Sequence, residues 1–415
     1  MGAPDGFSGF TAAGGRSGAR RLRVAVVTES FLPTLNGVTT SVCRVLEHLR
    51  DRGHEALVVC PGPAPESFAG ARVVTLPAFS YRQFPVGVPT PALRRALADF
   101  GPDVVHLASP FVLGAAGVAA AARLGVPSVA VFQTDVAGFA RSHHLGALSP
   151  MAWRWIRWMH DRAEVTLAPS AATMTDLAQH GVPRVGLWRR GVDGERFNPR
   201  RRTGPGVREL RDRLAPDGEV LVGYIGRLAP EKHVHRLAAL RDIDGVRLVI
   251  GGDGPARRAV ERALGERATF LGQLDGDPLA DTFAALDVFV HTGTEETFGQ
   301  TIQEALASGV PVVAPACGGP LDLVRSGDNG LLYPPGDEAA LRDAVTALVA
   351  DADLRARMSL AARDGVAGRT WEALGDQLVG HYRRAIAAPP RQSRPQRAGA
   401  WRERVRERAG RGQAA

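Results

Sequence analysis

The sequence predicts an α/β protein built from two doubly wound parallel sheets that face each other across a cleft. Three observations carry this expectation. At 415 residues the chain exceeds what one hydrophobic core usually organises. Short continuous apolar runs recur along it, the pattern of strands buried on both faces. Helical segments separate these runs, and alternating β and α order implies parallel sheets with right-handed crossovers. Ligands of such sheets bind beyond the carboxyl ends of the strands, so both halves are expected to turn those ends towards the cleft.

Taken in order, residues 1–21 form a Gly-, Ala- and Arg-rich tail expected to be disordered. The first domain is expected over residues 22–199. It opens with Leu22–Thr28 (LRVAVVT), a loop holding Pro33 and Gly37, and an amphipathic helix around Thr40–Arg52. Apolar strands follow at Ala56–Cys60, Arg72–Leu76, Val104–Leu107, Ser128–Phe132 and Glu164–Ala168. The basic, Pro- and Gly-rich stretch Pro199–Gly206 marks the expected boundary. A second domain, 200–370, repeats the pattern at Val220–Ile225, Val246–Ile250, Ala268–Leu271, Val288–His291, Pro311–Ala314 and Gly330–Tyr333. Residues 371–388 read as a helix able to pack back across the cleft onto the first domain. Residues 389–415 read as a basic, disordered tail.

Composition narrows the function classes. The net charge is +8, but Arg391 to Ala415 carries +6 and Met1 to Arg23 carries +3, leaving the body at −1. The high pI therefore belongs to the tails. No aromatic–basic alternation or nucleic-acid module supports binding to nucleic acid. Cys43, Cys60 and Cys317 are scattered without metal-ligand spacing, which fits a reducing cytoplasm with no structural zinc. No run is long and apolar enough to suggest a transmembrane helix, and the N-terminus does not read as a secretion signal.

The residues able to carry chemistry follow strand ends. Glu296 and Glu304, in ETFGQTIQE, are carboxylates eight positions apart. Apolar periodicity from Ile302 through Leu306 predicts a helix closed by Gly309, with Glu296 in the loop before it and Glu304 about two turns inside. Eight helical steps do not bring both to one face, so the pair suits two parts of one extended ligand. Gly299 permits close approach of the backbone, and the helix start offers N–H groups to an anion. Taken alone, the stretch also reads as a solvated helix with two ordinary glutamates. Arg227 and Lys232, in GRLAPEK, are two cations at a strand-to-helix turn and suit a diphosphate. Each would supply ~2–4 kcal/mol of transition-state stabilisation, by analogy with other preorganised donors. Gly37 occupies the matching turn of the first domain, where backbone N–H groups reach a ligand's phosphates. The spacing G-x-G-x-x-G is missing there, which argues against a nicotinamide cofactor. The tract GGDGP at Gly251–Pro255 reads as a tight turn. Asp135 follows the strand Ser128–Phe132 and reads either as a cleft residue touching a hydroxyl or as a helix cap. His143 and His144 read as a surface pair or an acceptor contact. In the Trp-rich stretch 151–162, Met151, Trp155, Trp158 and Met159 fall on one helical face. That face fits either core or inter-domain packing or a membrane interface.

Together, Gly37 in the first loop, GRLAPEK, EETFGQTIQEALASG and CGGPLDLV resemble the retaining GT-B glycosyltransferases of family 4, in register over about residues 22–385. The opening TESFLPTLNGV and the run FQTDVAGFA look closest to GDP-mannose-dependent α-mannosyltransferases that act on lipid or glycolipid acceptors. The resemblance implies a GT-B fold and a nucleoside diphosphate sugar as donor. It implies no metal or other cofactor. Arg227 and Lys232 would bind the diphosphate, with Gly37 approaching the phosphates. Glu296 would hold hydroxyls of the transferred sugar, helped by backbone N–H groups at Phe298, Gly299 and Gln300. Glu304 would bind the ribose, and the turn Gly272–Leu274 would lie against the base. Glu296 and Asp135 stand as the candidate catalytic residues. Many members have His where this chain has Gln133, so no catalytic histidine is assigned. The expected partners are a nucleotide-sugar donor, a lipid or glycolipid acceptor and a peripheral membrane contact, with the protein cytoplasmic at the inner face of the membrane. The competing expectations are a UDP-sugar-dependent transferase of the same fold, a nucleotide-sugar epimerase and a non-catalytic nucleotide-sugar binding protein.

Overall fold

The computed structural model describes residues 20–34, 36–81, 84–109, 111–133 and 149–389. Asp135, His143 and His144 lie outside them. The first sheet contains β1 (Arg23–Val27), β2 (Glu55–Pro61), β3 (Ser67–Phe68) and β4 (Ala71–Leu76). A separate antiparallel hairpin, β5 (Ala78–Tyr81) and β6 (Phe84–Gly87), comes next in the chain. The sheet is completed by β7 (Val104–Leu107), β8 (Ser128–Val131), β9 (Val165–Ala168) and β10 (Val185–Leu187). Its order is β10-β9-β8-β7-β1-β2-β4-β3, parallel throughout except for the β3–β4 edge. The second sheet contains β11 (Val220–Ile225), β12 (Val246–Gly251), β13 (Ala268–Gly272), β14 (Val288–Val290), β15 (Val312–Pro315) and β16 (Gly330–Tyr333). All its pairings are parallel, in the order β13-β12-β11-β14-β15-β16.

Both sheets reverse their strand order once, between β1 and β7 in the first and between β11 and β14 in the second. The crevice for a ligand opens at such a reversal, because the loops on either side leave in opposite directions. Apolar side chains fill both faces of each sheet, which is why the strands read as unbroken hydrophobic runs. The strands not anticipated from the sequence, β3, β5, β6 and β10, span two to four residues each and are too short for periodicity to register.

Six helices position the site. These are α1 (Gly37–Asp51), α2 (Ser149–His160), α3 (Ala171–Gln179), α4 (Gln300–Ala307), α5 (Pro320–Leu323) and α6 (Trp371–Ala387). Helix α1 starts earlier than its apolar pattern suggests because Asn36 caps it, accepting from Val38 N at 2.9 Å and Thr39 N at 3.0 Å. Helix α6 lays Leu374, Leu378, Val379 and Tyr382 into the core cluster of the first sheet. There the Tyr382 hydroxyl and His106 Nδ1 are 2.6 Å apart, and Trp188 Nε1 donates to Leu374 O at 2.8 Å.

Helix α2 departs from the expected stripe. Trp153, Ile156 and Met159 are buried, whereas Met151, Trp155 and Trp158 are 63%, 42% and 37% exposed. At 100° per residue Met159 sits at the edge of the exposed arc, and its side chain tips into the core. The basic stretch after residue 198 is not a loose break either. Pro199–Thr203 forms a 3₁₀ turn, with Arg201 on Asp277 at 2.6 Å and Asp281 at 2.7 Å, and Arg202 on Asp287. The chain leaves the first half near Val192 and returns beside it, with Val192 N donating to Arg369 O at 2.8 Å.

Candidate active site

The loop from β14 to α4 forms the floor of the second half. Glu296 is held from two sides. Its Oε2 accepts from Lys232 Nζ at 2.7 Å, and its Oε1 accepts from Gly299 N at 3.1 Å and Phe298 N at 3.3 Å. Burial alone would raise its pKa, but Lys232 and the backbone N–H bonds win and bring it to about 2. Glu296 is therefore a fixed carboxylate at neutral pH, an acceptor and not a proton donor. Two glycines of the next turn set its backbone. A Cβ on Gly318 would lie 2.5 Å from Glu296 O, and one on Gly319 would lie 2.3 Å from Phe298 O. Gly299 sits at φ 95° at the head of α4, a conformation glycine adopts without strain.

The two cations after β11 are not equivalent. The Lys232 side chain is 19% exposed and points at Glu296, while Arg227 is 55% exposed and pairs with Glu231. Thr292 Oγ1 ties the loops together by donating to Lys232 O at 2.7 Å. Both loops therefore meet at the carboxyl ends of β11 and β14, at the reversal of the sheet.

Glu304 lies on α4, where Gln300 Nε2 donates to its Oε1 at 3.2 Å. Burial pushes its pKa up to about 7, against smaller opposing effects of Gln300 and Arg190. Arg190 was not singled out by sequence reasoning. It lies between β10 and the Val192 crossover, and its guanidinium donates to Gly37 O. A Cβ on Gly37 would lie 3.0 Å from Arg190 Nη1, so the glycine makes room for this side chain. Helix α4 grips the same peptide from the other half: Gln303 Nε2 donates to Arg190 O at 3.0 Å and Gln300 Nε2 to Gly191 O at 3.2 Å. His291 was also missed. It is 2% exposed, its Nε2 lies 3.9 Å from Glu296 Oε2, and burial brings its pKa down to about 4.

Behind this floor the two halves touch. Asp322 on α5 accepts from Ala171 N at 3.0 Å and so caps α3 from across the cleft. Thr173 Oγ1 donates to Thr297 O at 3.2 Å, next to Glu296.

This architecture has known counterparts. Residues 35–196 match Glycosyltransferase Family 4, and residues 207–365 match Glycosyl transferases group 1. The chain is 52% identical over 371 residues to the GDP-mannose-dependent alpha-mannosyltransferase of Mycolicibacterium smegmatis, covering 87% of this chain and 97% of the relative. The chain belongs to glycosyltransferase family 4. A protein of the same description from Corynebacterium glutamicum is 44% identical over 381 residues, covering 90% of this chain and 91% of its own. The crystal structure of Anabaena HepE in complex with UDP superposes with a TM-score of 0.74 at 22% identity, over 88% of this chain and 100% of that one. That likeness shows the GT-B fold.

For this family 4 glycosyltransferase, the structure brings Lys232, Glu296, Gly299 and Gln300 together and sets Glu304 on the adjoining helix. The Phe298 ring is 1% exposed and belongs to the core, and the N–H groups of Phe298 and Gly299 serve Glu296. The turn at Gly272 packs against the GGDGP tract, with Gly252 N donating to Gly272 O at 2.6 Å. Gln133 Nε2 donates to Ala108 O at 2.8 Å, at the carboxyl end of β7. Among the described residues no three His, Cys, Asp or Glu side chains converge on one point, and no helix is long and apolar enough to cross a membrane.

Proposed function

We propose that the protein transfers mannose from GDP-mannose, with retention of anomeric configuration, to a hydroxyl of a lipid or glycolipid acceptor. The observation that carries this reading is the 2.7 Å pair of Lys232 and Glu296 at the point where the second sheet reverses. It sets a cation for phosphate beside a carboxylate for sugar hydroxyls. The names of the 52% and 44% identical relatives support GDP-mannose as donor.

Arg227 and Lys232 take the diphosphate, Glu296 the mannose hydroxyls and Glu304 the ribose diol. In the reaction the bond from the anomeric carbon to the phosphate oxygen breaks, and a bond to the acceptor oxygen forms on the same face. The acceptor's proton passes to the departing phosphate. Charge grows on the diphosphate as that bond breaks, and a preorganised cation lowers the barrier most there. An ionised Glu296 cannot deliver a proton, which agrees with a positioning role. Asp135 remains the proposed contact to the transferred sugar or the acceptor.

The exposed face of α2 supports a lipid acceptor met at a membrane surface. Met151, Trp155 and Trp158 stand out of it, Trp155 stacks on Trp158 at 5.4 Å, and the Arg162 guanidinium lies 4.2 Å from the Trp158 ring. Exposed aromatic side chains beside an arginine suit the headgroup layer of an anionic bilayer.

A thermal-shift screen with GDP-, UDP- and ADP-sugars, followed by NMR of the product's anomeric centre, tests the reading. GDP-mannose should stabilise the protein most and give an α-linked product. Stabilisation by a UDP-sugar alone would move the assignment to the UDP-dependent alternative, and a β-linked product would end the retaining mechanism.

A further inference from the structure

The cations of this cleft differ in whether a carboxylate already engages them. Lys232 is held by Glu296 and Arg227 by Glu231. Arg190 is not: among the described residues no carboxylate oxygen lies within ion-pair distance of it, and its Nε is buried without a hydrogen-bond partner. Among the described residues its guanidinium bonds to a neutral peptide oxygen, that of Gly37. Arg190 is partly buried, and with its Nε unpartnered and one edge on a carbonyl its remaining N–H groups can take an anion. Glu296 and Glu304 are the carboxylates whose charge reaches it, and Gln303, which holds its backbone, lies on the helix that carries Glu304. Its position is fixed from both halves, by Gly37 on the first and by Gln303 on the second.

Resting on the donor reading above, we propose that Arg190 is a third donor-binding cation, which contacts the diphosphate from the side of Gly37. Lys232 and Arg227 approach the same group from the second half, so the diphosphate would be held between the two domains. The glycine at position 37 then has a definite purpose, since any larger residue would displace the Arg190 guanidinium. A guanidinium also differs from a lysine here, because one edge can stay on Gly37 O while another meets phosphate.

The test compares GDP with guanosine by calorimetric titration of the wild-type protein, Arg190→Gln and Arg190→Lys. In Arg190→Gln, GDP affinity should fall by about tenfold or more, as expected for losing a bond between charged groups, while guanosine affinity stays unchanged. Arg190→Lys should recover part of the loss. Unchanged GDP affinity in Arg190→Gln would overturn the proposal, as would an equal loss for GDP and guanosine, which signals a structural role. Should Arg190→Gln not fold, Arg190→Lys carries the same comparison, and a GDP-selective loss is expected there too. Should the wild-type protein bind UDP and not GDP, the mannose-donor reading fails, while UDP against uridine still decides the role of Arg190.

Discussion

Glu296 and Glu304 carry the same side chain with very different proton affinities, and their surroundings set the difference. Lys232 and two backbone N–H groups keep the first ionised, with a pKa of about 2, while burial lifts the second to about 7. Glu296→Ala should abolish transfer yet leave GDP binding intact or tighter, because Lys232 loses its competing partner. Transfer and GDP titration assays check this, and wild-type turnover in the variant would remove Glu296 from the site. For Glu304 the sign follows from its raised value. The folded state binds the proton more tightly than the unfolded chain, so its contribution to stability is full below pH ~4.5 and is lost as the pH rises through about 7. Glu304→Gln should therefore stabilise the ligand-free protein at pH 8 relative to wild type, by up to ~3 kcal/mol, and not at pH 4.5 or below. Glu29, also raised to about 7 by burial, is present in both proteins and cancels. Melting curves at the two pH values test this, and an equal difference at both would count against it. The glutamate pair was legible in the sequence because its spacing brackets a helix start. Arg190 and His291 were not, since each sits in an apolar or basic run whose meaning comes only from what folds beside it.

At the scale of elements, α2 divides its aromatic residues between two environments, which periodicity alone did not separate. Trp153 packs against Phe132 at 6.3 Å, while Trp155 and Trp158 face outwards. The double variant Trp155→Ala, Trp158→Ala should keep its melting temperature and lose sedimentation with anionic phosphatidylglycerol vesicles. Undiminished vesicle binding would separate this helix from the membrane. The main strands were readable because a strand buried on both faces leaves a continuous apolar run. The hairpin β5–β6 and strand β10 were not, because so few residues carry no period. The start of α1 was missed for a different reason. A single side chain, Asn36, sets it by satisfying helix N–H groups, and no apolar residue marks the position.

At the scale of the whole molecule, the halves are joined by two adjacent chain crossings and by contacts behind the site. Asp322 caps α3 across the cleft and lies 3.5 Å from Arg189. Asp322→Ala removes both interactions without altering a proposed donor contact. It should enlarge the radius of gyration of the ligand-free protein and raise the KM for donor more than it lowers kcat. Unchanged scattering and unchanged KM would show that the halves are held together elsewhere. The two-domain plan was visible in the repeated strand pattern. The contacts between halves were not, because they join residues more than a hundred positions apart through a few polar side chains.

The Lys232–Glu296 pair has a consequence for how the enzyme tells its substrate from its spent product. In this structure each group neutralises the other. Under the proposed roles, a bare nucleoside diphosphate draws Lys232 away and leaves a buried carboxylate without its counterion. The intact donor brings phosphate for the lysine and hydroxyls for the glutamate, so neither is stranded. The ion pair thus acts as a competitor that only the complete donor outbids, and when the sugar has gone it re-forms and helps expel the nucleotide.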